Sequence, residues 1–84
     1  MTPPLGSLSY RELADLEYLA NHATGSRWYA DPQDEGQWGV FAERPATNIA
    51  IDCRAGDAAH IARADPETVL ALVREIRAWR SRLD

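Results

Sequence analysis

Apolar side chains in the first quarter of the chain recur at the spacing of one face of an α-helix. They are Leu13, Leu16, Ala20 and Ala23. Just before them, Ser9 and Glu12 fit a capping box, in which the Ser9 hydroxyl accepts from the Glu12 amide and the Glu12 carboxylate accepts from the Ser9 amide. Leu8 and Leu13 are placed for the hydrophobic staple that often accompanies such a box. The pattern predicts a first helix that begins after Ser9 and stops at Gly25, since glycine tolerates the positive φ of a helix end.

The middle of the chain predicts a sheet. Three segments are strand candidates: 27–30, 37–41 and 47–53. Turn-forming residues separate them at 31–36 and 43–46. In the third segment Ile49, Ile51 and Cys53 alternate with Asn48 and Asp52, which indicates a strand with one apolar face. Links of this length favour a three-stranded antiparallel sheet that helices cover on one face.

The last third of the chain predicts two helices. Asp57 is the predicted N-cap of a short helix over 58–64. Asp65 is the predicted N-cap of a long helix, with Pro66 in the first helical position, where the missing amide has no partner in any case.

The long helix carries an apolar seam with gaps of three, four, three and four residues. Its members are Val69, Leu72, Ile76, Trp79 and Leu83. This is the a/d pattern of a helix contact, and Leu70 and Val73 widen it. The main expectation is that this seam packs on the sheet of its own domain. The wider face also allows the Trp79–Leu83 end to contact a partner, although about two heptads are too few for an independent coiled coil.

These elements predict a single small α+β domain over residues 1–84. It consists of an N-terminal helix, a three-stranded antiparallel sheet, a short helix and a long C-terminal amphipathic helix, preceded by a flexible lead-in over 1–7. A chain of 84 residues buries only about 60% of the surface of its unfolded form. Its single cysteine, Cys53, excludes an intrachain disulfide. A partner subunit is a common support for so small a domain, and we expect a two-fold dimer that involves the Trp79–Leu83 end.

Charge bears on the kind of partner. The net charge is −4, which weighs against a general nucleic-acid-binding protein. Arginines nevertheless cluster on the polar side of the last helix: Arg74, Arg77, Arg80 and Arg82. Such a cluster could bind phosphates, so a small nucleic-acid-binding regulator is the alternative to a protein-binding module. The predicted partner-binding residues are Arg74, Arg77, Trp79, Arg80 and Leu83.

Catalytic and metal chemistry have weak support. Cys53, His60 and Asp57 are the residue types of a nucleophile, a base and an orienting acid. However, no glycine-rich oxyanion loop accompanies them, and Cys53 lies on the apolar face of a predicted strand. His22 and His60 do not have the spacing of paired ligands on one helix. We therefore expect no enzymatic activity, no cofactor and no metal.

Aromatic residues are concentrated in the predicted sheet: Trp28, Tyr29, Trp38 and Phe41. Aromatic side chains on strands can stack on bases or line a ligand groove, which leaves a small-molecule binder as a third candidate. In so small a domain the core itself is the main expectation, since each ring buries a large area.

The cellular location is predicted from two features that the sequence lacks, a membrane-spanning run and a signal peptide. It contains no run of about 20 apolar residues, the length that spans a bilayer. Residues 1–6 have neither the basic region nor the apolar run of a signal peptide. We expect a cytoplasmic protein without a membrane partner.

The segment Asp57-Ala58-Ala59-His60-Ile61-Ala62-Arg63-Ala64-Asp65-Pro66-Glu67-Thr68-Val69-Leu70 resembles a motif of small proteins from actinobacteria and their phages. Ead-like phage proteins and a domain of unknown function with a His-Ile-Ala-Arg-x-Asp-Pro core are examples. The resemblance implies a phage-type accessory protein without an established activity, so no functional residue transfers from it. The weak support for catalysis and the wide apolar face of the last helix favour a non-enzymatic protein of this phage type that acts by protein–protein contact, with inhibition of a host or defence protein as one action.

Overall fold

The computed structural model describes residues 8–25 and 27–83. The elements are, in chain order, α1 (Tyr10–His22), β1 (Trp28–Pro32), a 3-10 turn (Asp34–Gly36), β2 (Trp38–Glu43), β3 (Ala46–Cys53), α2 (Ala55–Arg63) and α3 (Pro66–Leu83). The predicted α+β class and the predicted order of elements are confirmed. The flexible lead-in predicted over 1–7 lies outside the described residues.

The predicted capping box starts α1. The Ser9 amide donates to Glu12 Oε1 and the Glu12 amide donates to Ser9 Oγ, each over 3.0 Å. The prediction that the helix continues to Gly25 is wrong, because it ends at His22. Ala23 is already extended (φ −77°, ψ 163°). The His22 ring lies 2.8 Å from the Tyr18 carbonyl oxygen through Nδ1, so a side chain rather than a glycine turn meets a terminal carbonyl of the helix.

The sheet has the strand order β1-β2-β3, and both pairs are antiparallel. Arg44 and Pro45 alone connect β2 to β3, joined by a cis peptide bond. The segment 31–36 was predicted as a turn, but its first two residues belong to β1. Proline is tolerated there because β1 is an edge strand, so the missing amide of Pro32 breaks no ladder hydrogen bond.

The alternation predicted for β3 is wrong at Ile51, whose side chain is 55% exposed. The pairing with β2 shifts twice, between Trp38 and Val40 and again between Val40 and Phe41, and at each shift β3 has one residue more than β2. Asp52 within this segment has a φ of +57°. An extra residue in one strand is a bulge, and it turns the following side chains to the other face. Ile49, Ala50 and Cys53 pack against the core, whereas Ile51 does not.

The core under the sheet consists of Val40 from β2 and Ala58 and Ala62 from α2. The partly buried side chains around it are Trp28, Ala30, Trp38, Ile49, Ala50, Cys53 and Ile61. The prediction that Asp57 caps this helix is wrong, since α2 begins at Ala55 after Arg54, which makes no side-chain cap. Asp57 lies in the first turn instead, where its negative charge still suits the helix dipole.

The long helix α3 packs mainly on α1, not on the sheet. Leu13 and Ala20 of α1 and Val73 of α3 are buried. The expectation that the apolar seam of α3 packs on the sheet is therefore wrong. The short helix α2 already covers that face with small alanines, which leaves α1 as the apolar surface open to α3.

Candidate interaction surface

Two of the predicted partner-binding arginines contact α1. Arg77 Nη1 donates to Glu17 Oε2 over 2.7 Å. Arg80 donates through Nη2 to the Leu8 carbonyl oxygen, and its guanidinium lies 5.0 Å from the centroid of the Tyr10 ring. Both arginines are half-buried. Their first role in this structure is to join α3 to α1.

Three apolar side chains of α3 are exposed instead: Leu72 (53%), Trp79 (63%) and Leu83 (78%). With about 100° between successive helix residues, they fall within an arc of roughly 40°. Val69 and Ile76, the other members of the predicted seam, are half-buried. The seam therefore straddles the edge of the contact with α1. We call Leu72, Trp79 and Leu83 the terminal patch.

The terminal patch lies beside a small cavity on the outer side of α3. The cavity has a volume of about 270 Å³ and is lined by Glu75, Ala78, Trp79 and Arg82. The Arg82 guanidinium is 5.8 Å from the Trp79 ring centroid, within the range of a cation–π contact. An indole, a methyl group, an acid and a base thus share one exposed surface. Arg74, the remaining predicted residue, is also exposed on α3.

A second apolar cleft adjoins the same pair of helices. It has a volume of about 170 Å³ and lies where the end of α1, Trp28 and the start of α3 meet. Leu19 of α1 is one of its lining residues and is exposed. Helical periodicity in an antiparallel pair places Leu19 on the same side as Leu72. The apolar surface of α3 therefore extends toward α1.

Asp65 joins the helix pair to the sheet. Its side chain is 2% exposed; Oδ1 accepts from the Thr68 amide over 2.9 Å and Oδ2 from the Trp28 amide over 3.3 Å. Arg27 Nε lies 3.8 Å from the same Oδ2. Burial raises the pKa of Asp65, but the hydrogen bonds from Thr68 and Trp28 and the charge of Arg27 lower it more, so the pKa lies below its ordinary 3.8. The sequence predicted the cap on α3 but not the bond to Trp28.

An open groove of about 620 Å³ runs between β1 and α2, and Arg27 and Arg63 are among its lining residues. A groove beside an edge strand can accept an added peptide strand. The β1 edge has few free amides for an added strand, because the Trp28 amide already donates to Asp65 and Pro32 has no amide hydrogen. The bulged β3 blunts the other edge in a similar way. The sheet edges are therefore weaker candidates for a contact than α3.

The aromatic residues of the sheet divide between its two faces. Trp28 and Trp38 pack against the core. Tyr29 and Phe41 form a cross-strand pair with ring centroids 5.8 Å apart. The Phe41 ring lies over Gly39, where an added Cβ would be 2.6 Å from Phe41 Cζ. The tyrosine and phenylalanine rings thus pack on each other and on backbone.

The residue types considered for catalysis do not form a linked site. Asp57 and His60 are exposed on α2, and the Cys53 thiol lies 3.6 Å from the Ile51 carbonyl oxygen. Within 8–25 and 27–83, no hydrogen bond joins Cys53, His60 and Asp57, and no group of three or more acidic, histidine or cysteine side chains could hold a metal ion. Among the described helices, none is long and apolar enough to cross a membrane.

No family model, curated protein or solved structure matches this chain.

Proposed function

We propose that this chain is a non-enzymatic binding protein that acts by protein–protein contact through the terminal patch. The observation that carries the proposal is the exposure of Leu72, Trp79 and Leu83 on one side of α3. Exposed tryptophan in an apolar surrounding is typical of the residues that dominate binding energy. On its sequence resemblance, the chain would act in the cytoplasm of a bacterial host as a phage-type accessory protein, and inhibition of a host or defence protein is one action.

The arrangement of the arginines supports a protein partner over nucleic acid. Phosphate binding needs several cations that point to one surface. Arg77 and Arg80 are committed to α1, which leaves Arg74 and Arg82 exposed on α3. The charge of −4 further opposes a polyanion. We expect no gel shift with DNA at physiological salt; a shift that disappears when Arg74 and Arg82 are both changed to Gln would favour the regulator instead.

A photo-crosslinking amino acid tests the proposal directly. It replaces Trp79 in one variant and Tyr18 in a matched control, since Tyr18 is a similarly exposed aromatic residue on α1. Each variant is produced in an actinobacterial host and irradiated. We expect a protein adduct at position 79 and none at 18. Equal adducts at both positions, or none at 79, would contradict the proposal.

A further inference from the structure

The helix pair exposes several large apolar side chains. On α3 they are Leu72, Trp79 and Leu83, and Leu19 of α1 adjoins them. A contiguous exposed apolar surface is typical of a protein–protein contact.

Charges beside the patch indicate which partner would fit. Glu75 and Arg82 are seven residues apart, about 10.5 Å along the helix axis, and both line the cavity beside Trp79. No ion pair is formed by either residue within the described part of the chain. The side of α3 that carries the patch therefore presents an acid at one end and a base at the other.

This side of α3 is complementary to the same side of a second α3 that runs in the opposite direction. If a second α3 lies antiparallel to the first and crosses it near Trp79, Glu75 meets Arg82 of the second copy, and Arg82 meets Glu75 of that copy. Trp79 then lies on the same flank of the contact as Trp79 of the second copy, so the two indoles meet near the axis. A parallel arrangement would instead place Glu75 against Glu75. A two-fold axis forms both Glu75–Arg82 ion pairs from the same surface of each copy, which is the property of an isologous interface.

We propose that a second copy of this chain covers the terminal patch, with α3 packed antiparallel on α3 about a two-fold axis near Trp79 and with two reciprocal Glu75–Arg82 ion pairs. This inference rests on the proposed function, because it names the protein that the patch binds.

Light scattering on the purified full chain is the first test. At high micromolar concentration we expect twice the subunit mass, and a monomer for Trp79→Ala. Circular dichroism should show the variant still folded, since Trp79 is exposed in the subunit. Tyr18→Ala, which removes an exposed ring from α1, should remain a dimer. A native chain that is monomeric at this concentration overturns the inference.

Charge reversal tests the antiparallel geometry. Glu75→Arg alone and Arg82→Glu alone each create two like-charge contacts, which should raise the dimer dissociation constant about tenfold. An equal mixture of these two single variants should regain affinity as a heterodimer, because every contact then joins opposite charges. Arg11→Glu, a reversal of an exposed charge on α1, should leave the dissociation constant unchanged.

This arrangement is overturned if neither single reversal changes the dimer dissociation constant. It is also overturned if the mixture of the two variants does not regain affinity. The crosslinking experiment separates this failure from that of the proposed function. A monomeric chain that still crosslinks at position 79 to a different protein refutes the second copy and keeps the binding role. A monomeric chain without an adduct refutes both.

Discussion

The amide of Trp28 donates a hydrogen bond to the Asp65 carboxylate over 3.3 Å, across 37 positions of the sequence. The other carboxylate oxygen caps α3 through the Thr68 amide. One buried side chain thus fixes the first residue of the sheet and the first turn of the long helix. This bond couples the two parts of the molecule.

Replacing Asp65 by Ala should destabilise the fold by about 2 kcal/mol, because it leaves the amides of Thr68 and Trp28 without their acceptor in a mostly buried place. Urea denaturation followed by tryptophan fluorescence measures the change in the free energy of unfolding. Asp57→Ala is the matched control, since Asp57 is an exposed aspartate in the first turn of α2. That variant should lose less than about 0.5 kcal/mol. Equal losses would mean that the Asp65 contacts contribute nothing specific.

The same carboxylate should make stability depend on pH. Its pKa is lowered in the folded state, so as the pH falls the unfolded chain takes up a proton first and the folded state loses its advantage. The contribution is fully present above the ordinary pKa of 3.8 and is lost as the pH falls below it through the folded value. The stability difference between the native chain and Asp65→Asn should therefore shrink in acid. Urea titrations from about pH 7 to about pH 3 test this; a difference that grows in acid would reverse the sign.

Two glycines should respond in opposite directions to alanine. Gly39→Ala brings a Cβ within 2.6 Å of the Phe41 ring, so the ring must shift from its present position. We expect a loss of about 1 kcal/mol, at the lower end of the cost of overpacking. Gly56→Ala meets no atom within 4 Å and lies inside α2, so it should gain about 0.5 kcal/mol from helix propensity. Thermal melts compare the pair, and a Gly39→Ala variant as stable as the native chain would show that the ring moves freely.

Ser9→Ala should cost about 1 kcal/mol, since it removes the acceptor for the Glu12 amide at the start of α1. On a domain of this size that lowers the melting temperature by roughly 4–8 °C. Ser81→Ala is the control, because Ser81 is exposed within α3 and alanine there should be neutral or slightly stabilising. If Ser9→Ala and Ser81→Ala had the same melting temperature, the capping box would not contribute to the stability of the first helix.

The sequence predicted features whose causes lie within a few residues. The capping box joins residues three apart, and Asp65 caps a helix whose first residue is Pro66. The class and order of the elements also followed from local periodicity. Local hydrogen-bonding rules and side-chain spacing suffice for these features, because no distant part of the chain is involved.

Only the tertiary structure decided which side of each element is buried. The α3 seam is apolar, as its spacing predicts, but its orientation depends on α1, which packs against Val73 and accepts a hydrogen bond from Arg77 at Glu17. Trp79 was left exposed by that choice, whereas Arg77 and Arg80 became intramolecular contacts. Likewise, the two register shifts around Ile51 arise from the pairing of β3 with β2. A one-dimensional pattern fixes the period of a helix or strand, but its rotation and register are set by the surface that it meets.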